Sequence, residues 1–184
     1  MPVGTIIVLA FLAFVAVTIF KGVRIVPQGY KWIVQRLGKY HSTLNPGLNF
    51  VIPYVDEVAY KVTTKDIVLD IPSQEVITRD NAVLLMNAVA YINLTTPEKA
   101  VYGIENYTWA IQNLVQTSLR SIVGEMDLDD ALSSRDHIKA KLKAAISDDI
   151  SDWGITLKTV EIQDIQPSST MQAAMEAQAA AERQ

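Results

Sequence analysis

The chain has 184 residues, 49% of them hydrophobic, and a formal net charge of −4. That length supports one sizeable core or two small ones, and the mildly acidic balance argues against nucleic acid as a partner. Cysteine is absent, which excludes disulfides, thiol catalysis and thiolate metal sites, and the two histidines, His41 and His137, lie far apart in sequence.

The strongest signal is at the N-terminus. Val3 to Phe20 contains no charged residue, and at 1.5 Å per residue it reaches roughly 27 Å, close to the hydrocarbon thickness of a bilayer. A cleavable signal peptide would open on basic residues and carry a shorter apolar stretch, whereas this run follows Met1-Pro2 and ends at Phe20-Lys21. Residues 1–22 are therefore expected to form a retained transmembrane anchor, with Val3, Ile6, Leu9, Phe11, Phe14, Val17 and Phe20 in its apolar body. Lys21, Arg24, Lys31, Arg36 and Lys39 all follow the run and no basic residue precedes it. Basic residues stay on the cytoplasmic side, so the domain is expected there, with an extracytoplasmic placement as the alternative.

After the anchor, Pro27-Gln28-Gly29 marks a turn between two expected strands, Val23–Val26 and Tyr30–Leu37, and His41 falls in an expected loop. Pro46-Gly47 is a second turn. The apolar run Leu48–Ile52, closed by Pro53, is too short to span a bilayer and is read as core before shallow membrane contact. "DEVAYKV" and "DIVLDI" are further strand candidates. Asn81–Leu94 is the clearest strand, because Ala82, Leu84, Met86, Ala88, Ala90, Ile92 and Leu94 place an apolar residue at every second position.

"IPSQEVITRDNAV" brings Glu75, Arg79 and Asp80 close together in sequence. The grouping could serve a hydrolase, but Arg79-Asp80-Asn81 is turn chemistry and Glu75 lies back in a strand, so a hairpin bend is the simpler reading. From Thr96 the period becomes helical: Thr96 can cap, Pro97 suits the first helical position and Glu98 favours the positive end. Asn106–Gly124 is expected to be helical with Trp109, Leu114 (or Gln112), Ser118 and Ile122 one turn apart. A helix from about Ser134 to Asp152 carries an apolar stripe of Ile138, Leu142, Ala145, Ile146 and Ile150. Asp127, Asp129 and Asp130 sit where acids favour a helix start. Trp153-Gly154 stops the long helix, and "ITLKTVEIQDI" reads as a strand whose alternation slips near Thr159, as a bulge would make it.

The last segment is alanine-rich and opens on a capping pattern, Ser169 to Gln172. Met171 and Met175 are its only large apolar residues, so a helix here needs neighbours, with Ala174, Ala177 and Ala181 as the expected seam. No glycine or proline stop follows, and the helix is expected to continue beyond Gln184. Phosphate-binding glycine loops and nucleophile elbows are absent, and no enzyme activity, metal or cofactor is expected.

Five stretches in order, "VPQGYKWIVQRLGKY", "NPGLNFVIPYVDEV", "LDIPSQEVITRDNA", "SLRSIVGEMDLDDALSSRD" and "WGITLKTVEIQDIQPSSTMQAAMEAQAAAERQ", resemble the SPFH/band 7 superfamily of stomatins, prohibitins and flotillins, in particular its bacterial stomatin-like (paraslipin-type) branch. The resemblance implies an α+β fold: the anchor (1–22), a β-rich subdomain (23–95), a mixed α/β subdomain (96–166) and the start of a long C-terminal coiled-coil helix (167–184). It also implies a non-enzymatic scaffold in a bacterial cell membrane, assembling with itself into a ring or cage. The implied partners are the lipid bilayer and membrane proteins, including AAA-type membrane proteases and NfeD-type proteins, in microdomain organisation and protein quality control. An adaptor that regulates a protease without large assembly is the alternative. Pro46, Gly47, Leu48, Phe50, Ile52 and Pro53 match the family's membrane-proximal loop, and Ile71–Asn81 its hairpin signature.

Overall fold

A computed structural model of the chain describes residues 3–182. The first two residues of the expected anchor and the last two of the expected C-terminal helix lie outside the described residues. Two compact units divide the chain, Met1–Lys65 and Asp66–Gln184.

The first unit opens with helix α1 (Val3–Gly22), followed by strands β1 (Val23–Val26), β2 (Tyr30–Arg36), β3 (Lys39–Leu44), β4 (Gly47–Phe50) and β5 (Asp56–Thr63). β1 pairs with β4, and β2 lies between β3 and β5, all antiparallel. Val26, Val34, Leu44 and Val51 form a small core, flanked by Trp32 and Val58. Strand β2 stops one residue short of the expected Leu37, which enters the left-handed region with Gly38 (φ 49° and 82°) and turns the chain tightly into β3. His41 is consequently in a strand and not in a loop.

The second unit contains β6 (Ile67–Ile77), β7 (Val83–Leu94), α2 (Pro97–Gly103), α3 (Tyr107–Gly124), α4 (Leu128–Ser133), α5 (Arg135–Asp152), β8 (Ile155–Pro167) and α6 (Ser169–Glu182). β7 is the central strand between β6 and β8. Its alternating face, Ala82 through Leu94, is buried at every expected position. "DIVLDI" and Gln74–Ile77 are parts of one strand, β6, whose register breaks between Ile71 and Gln74. Pro72 falls in that break, on a strand with β7 on one side only, where a missing N–H is tolerated. Strands expected at 66–94 with the β-rich part of the chain thus share a sheet with β8.

Helix α3 packs on β6 and α5, and α5 on β8. Ile138, Leu142, Ile146 and Ile150 are fully buried on α5, each contributing about 1.5–3 kcal/mol of burial. Ala145, expected in that stripe, is exposed. On α3 the buried face is Ile111, Val115, Leu119, Ile122 and Val123, while Trp109 is 65% exposed. Of the expected stripe, Ile122 belongs to this buried face, Leu114 (or Gln112) and Ser118 are half-buried and Trp109 is exposed, because the core face follows the aliphatic series Ile111, Val115 and Leu119 and Trp109 lies roughly 200° around the helix from Ile111.

Gly154 stops α5 with φ +69°, and its carbonyl accepts the Thr96 amide at 2.9 Å. A Cβ there would strike Thr96, so both conformation and space require glycine. In β8 the register slips between Leu157 and Thr159, as the broken alternation indicated, and again around Gln163.

Helix α6 is capped by Ser168, one residue before the expected Ser169: its hydroxyl accepts the Met171 amide at 3.4 Å. The Ser168 amide is itself tied to the Val83 carbonyl at 3.0 Å, which fixes it as the last residue outside the helix.

Candidate membrane interface

Every expected anchor residue is exposed, from Val3, Ile6 and Leu9 through Phe11, Phe14 and Val17 to Phe20 at 80%. An 18-residue window of this 20-residue helix has mean hydropathy 2.8 and is not buried by the rest of the chain, and only Gly22 at its end is buried. Its composition and length are compatible with a single membrane pass.

The apolar surface continues past the helix. Antiparallel pairing sets Val23 opposite Phe50 and Ile25 opposite Leu48. Directly opposed residues share a face, so these four point to one side of the β1–β4 ribbon, with Arg24 and Asn49 on the other. Ile25, Leu48 and Phe50 are 69%, 68% and 66% exposed. Ile52 and Tyr54 extend the exposed apolar stretch beyond the ribbon. Leu48–Ile52 is thus not a core segment as expected. Only Val51, just past the end of β4, is buried, while Phe50 and Ile52 on either side of it are exposed.

Three contacts hold this segment in place. The Val51 amide donates to the Gly22 carbonyl at 2.8 Å, and a Cβ on Gly22 would stand 2.7 Å from the Val51 carbonyl oxygen. Thr18, Ile19, Gly22 and Phe50–Pro53 enclose an apolar cleft of about 270 Å³ at this junction. Next, the Asp56 carboxylate accepts the Ile52 amide at 2.9 Å and is clasped by Arg36, Nε to Oδ1 at 2.6 Å and Nη2 to Oδ2 at 3.0 Å. Finally, Lys21 stands over the Tyr54 ring, 5.6 Å from its centroid. A cation and a tyrosine at the end of an apolar span are the chemistry of a headgroup boundary. Pro46 and Pro53 are half-buried, and Gly47 takes φ +112° at the start of β4.

Ile25, Tyr54 and the Arg36–Asp56 clasp were not legible as site residues. Pairing Val23–Val26 with Gly47–Phe50 would have found Ile25, because the two strands alternate in phase. The clasp joins positions twenty residues apart that carry no local pattern.

Glu75, Arg79 and Asp80 do not converge on a common point. Arg79 donates from Nε to Asp127 at 3.0 Å and is ion-paired with it. Asp80 accepts the Thr78 hydroxyl and the Leu128 amide, bonds that lower its carboxyl pKa, the hydroxyl most. Glu75 is exposed in β6 opposite Leu85. The hairpin tip, where Asn81 has φ 66°, is fastened to the start of α4 through Asp127 and the Leu128 amide, while Asp129 and Asp130 lie in the helix's first turn, where acids favour the dipole. Among the described residues no group of three or more histidines or carboxylates could hold a metal.

Arg36, chiefly through its hydrogen bonds, lowers the Asp56 carboxyl from 3.8 to about 2. A depressed folded value means that the clasp contributes fully above pH 3.8 and is lost as pH falls through about 2. A carbon-13 NMR titration of the Asp56 carboxyl in micelles should show a midpoint near 2. Asp56→Asn should also speed hydrogen exchange at the Ile52 amide roughly 10- to 100-fold, as expected for losing a charged hydrogen bond. An ordinary carboxyl midpoint with unchanged exchange would dissolve the clasp.

Residues 24–184 match the SPFH domain / Band 7 family. An uncharacterized protein of Methanocaldococcus jannaschii is 41% identical over 90% of this chain and 82% of its own length. An uncharacterized protein of Mycobacterium tuberculosis is 36% identical over 98% of this chain and 49% of its own. Human stomatin-like protein 2, mitochondrial, is 37% identical over 86% and 44%. The chain thus spans about half the length of several curated relatives it matches. With that match running from just past α1 through α6, the chain belongs to the SPFH/Band 7 family.

Proposed function

We propose that this chain is the membrane-anchored head of a non-enzymatic scaffold that assembles with itself into a ring or cage in a bacterial cell membrane. The observation that carries the membrane part is the continuous apolar surface from α1 through Ile25, Leu48 and Phe50 to Ile52 and Tyr54. It gives each copy a transmembrane pass and a shallow contact beside it, a geometry suited to ordering lipids around an assembly.

Helix α6 supports the assembly part. Over its described residues Ala174, Met175, Ala177 and Ala181 are all exposed and Met171 is half-buried, so this stretch of helix has little packing of its own to stabilise it. Lateral packing of copies along the alanine seam would supply the missing contacts, since small residues let helices approach closely. Such an assembly would collect membrane proteins, AAA-type proteases and NfeD-type partners among them, and adjust their action in protein quality control.

The domain stands on the cytoplasmic side under this reading, because its basic residues follow the span. Protease added to intact spheroplasts should leave it whole, and digestion there would reverse the assignment. For assembly, Ala177→Asp in the full-length protein should abolish large particles on native gels and in electron micrographs while circular dichroism stays unchanged. Intact assemblies in that variant would place the contacts in the globular units and not in α6.

A further inference from the structure

A cavity of about 710 Å³ opens in the first unit, between the start of β1 and the β2–β5 pair. Its volume is that of a small-molecule site. Phe20, the last apolar residue of the span, forms part of its wall, so its mouth lies where hydrocarbon gives way to headgroups. This placement rests on the membrane reading of α1 made above.

The charges around the cavity are unequal in their commitments. Asp56 lines it, but its carboxylate is taken by Arg36 and Ile52. Arg24 and Glu57 also line it, and among the described residues neither forms an ion pair or side-chain hydrogen bond. Lys61 is held with its ammonium 4.5 Å from the Trp32 ring centroid, a contact that positions the amine and leaves its N–H donors unused. The cavity therefore offers two uncommitted cations and one uncommitted carboxylate beside an apolar wall. A guanidinium and an ammonium suit a phosphate, and a carboxylate suits a primary ammonium.

We propose that this cavity binds the headgroup of a glycerophospholipid carrying a primary ammonium, with its phosphodiester on Arg24 and Lys61, its ammonium on Glu57 and its acyl chains leaving past Phe20. The same cations could hold free phosphate, so the test separates the two sources.

The full-length protein is reconstituted into vesicles of equal phosphatidylethanolamine and phosphatidylglycerol, checked by flotation and extracted in mild detergent. Retained lipid per chain is then measured by mass spectrometry. Wild type should retain about one phospholipid per chain, with ethanolamine enriched at least about fivefold over glycerol. Arg24→Ser with Lys61→Ser should lower retention about tenfold, and Lys39→Ser should leave it unchanged. Glu57→Gln should keep the lipid but abolish the headgroup preference, which also guards against misfolding of the double variant. Unchanged retention and preference in these variants would overturn the proposal. Displacement by inorganic phosphate as effective as by glycerophosphoethanolamine would overturn it in favour of a free-anion site. Failure of the wild type to float with vesicles would overturn the membrane reading as well, whereas normal flotation with unaltered retention overturns this site alone.

Discussion

At the end of α1 the Gly22 carbonyl accepts the Val51 amide at 2.8 Å, and the missing Cβ at position 22 lets the two segments meet. A single backbone hydrogen bond adds only about 1 kcal/mol net, so this contact is important for placement more than for strength. It sets the residues after β4 against the last turn of the span. Val51 then enters the small core, which forces Phe50 and Ile52 outward on either side of it. The Arg36–Asp56 clasp holds the far end of the same segment through the Ile52 amide. Together these contacts make the exposed apolar residues Ile25, Leu48, Phe50 and Ile52 continuous with the apolar surface of α1.

The second unit solves a different problem. β7 is buried along its whole alternating face, between two strands and beneath α3 and α5, and so forms a stable platform. The polar tip of the β6–β7 hairpin is committed to the start of α4 through Arg79–Asp127 and Asp80–Leu128. Side chains that could suggest acid–base chemistry in the sequence are fixed as structural partners, with Glu75 left apart. From the end of β8, the Ser168 cap launches α6 with its alanine side chains uncovered.

The features that read directly from sequence are those in which local pattern and tertiary burial agree. The uninterrupted apolar run of α1, the period-two face of β7, the stop at Gly154 and the bulge near Thr159 are of this kind. Leu48–Ile52 misled because an apolar run does not say what solvent it meets; membrane and core attract the same residues. On α3 the size of Trp109 is a misleading guide, because the ring lies roughly 200° around the helix from Ile111 and so faces away from the buried side that Ile122 does join. The helix cap moved from Ser169 to Ser168 because adjacent serines are equal candidates until the Val83 bond fixes one of them. Strand β3 and the cavity at the end of α1 depend on pairings between distant segments, and no local signal marks them.

The central claim is that the β1–β4 ribbon lies in the membrane boundary with one face toward lipid. The chain contains no cysteine, so Leu48→Cys, Asn49→Cys, Phe50→Cys and Ile52→Cys each give a unique site for a nitroxide label in the full-length protein. Power-saturation measurements in vesicles should show labels at 48, 50 and 52 reached by membrane-soluble oxygen and shielded from an aqueous nickel complex. The label at 49, on the opposite face, should show the reverse. Equal aqueous accessibility at all four positions would put the ribbon in water and contradict the account.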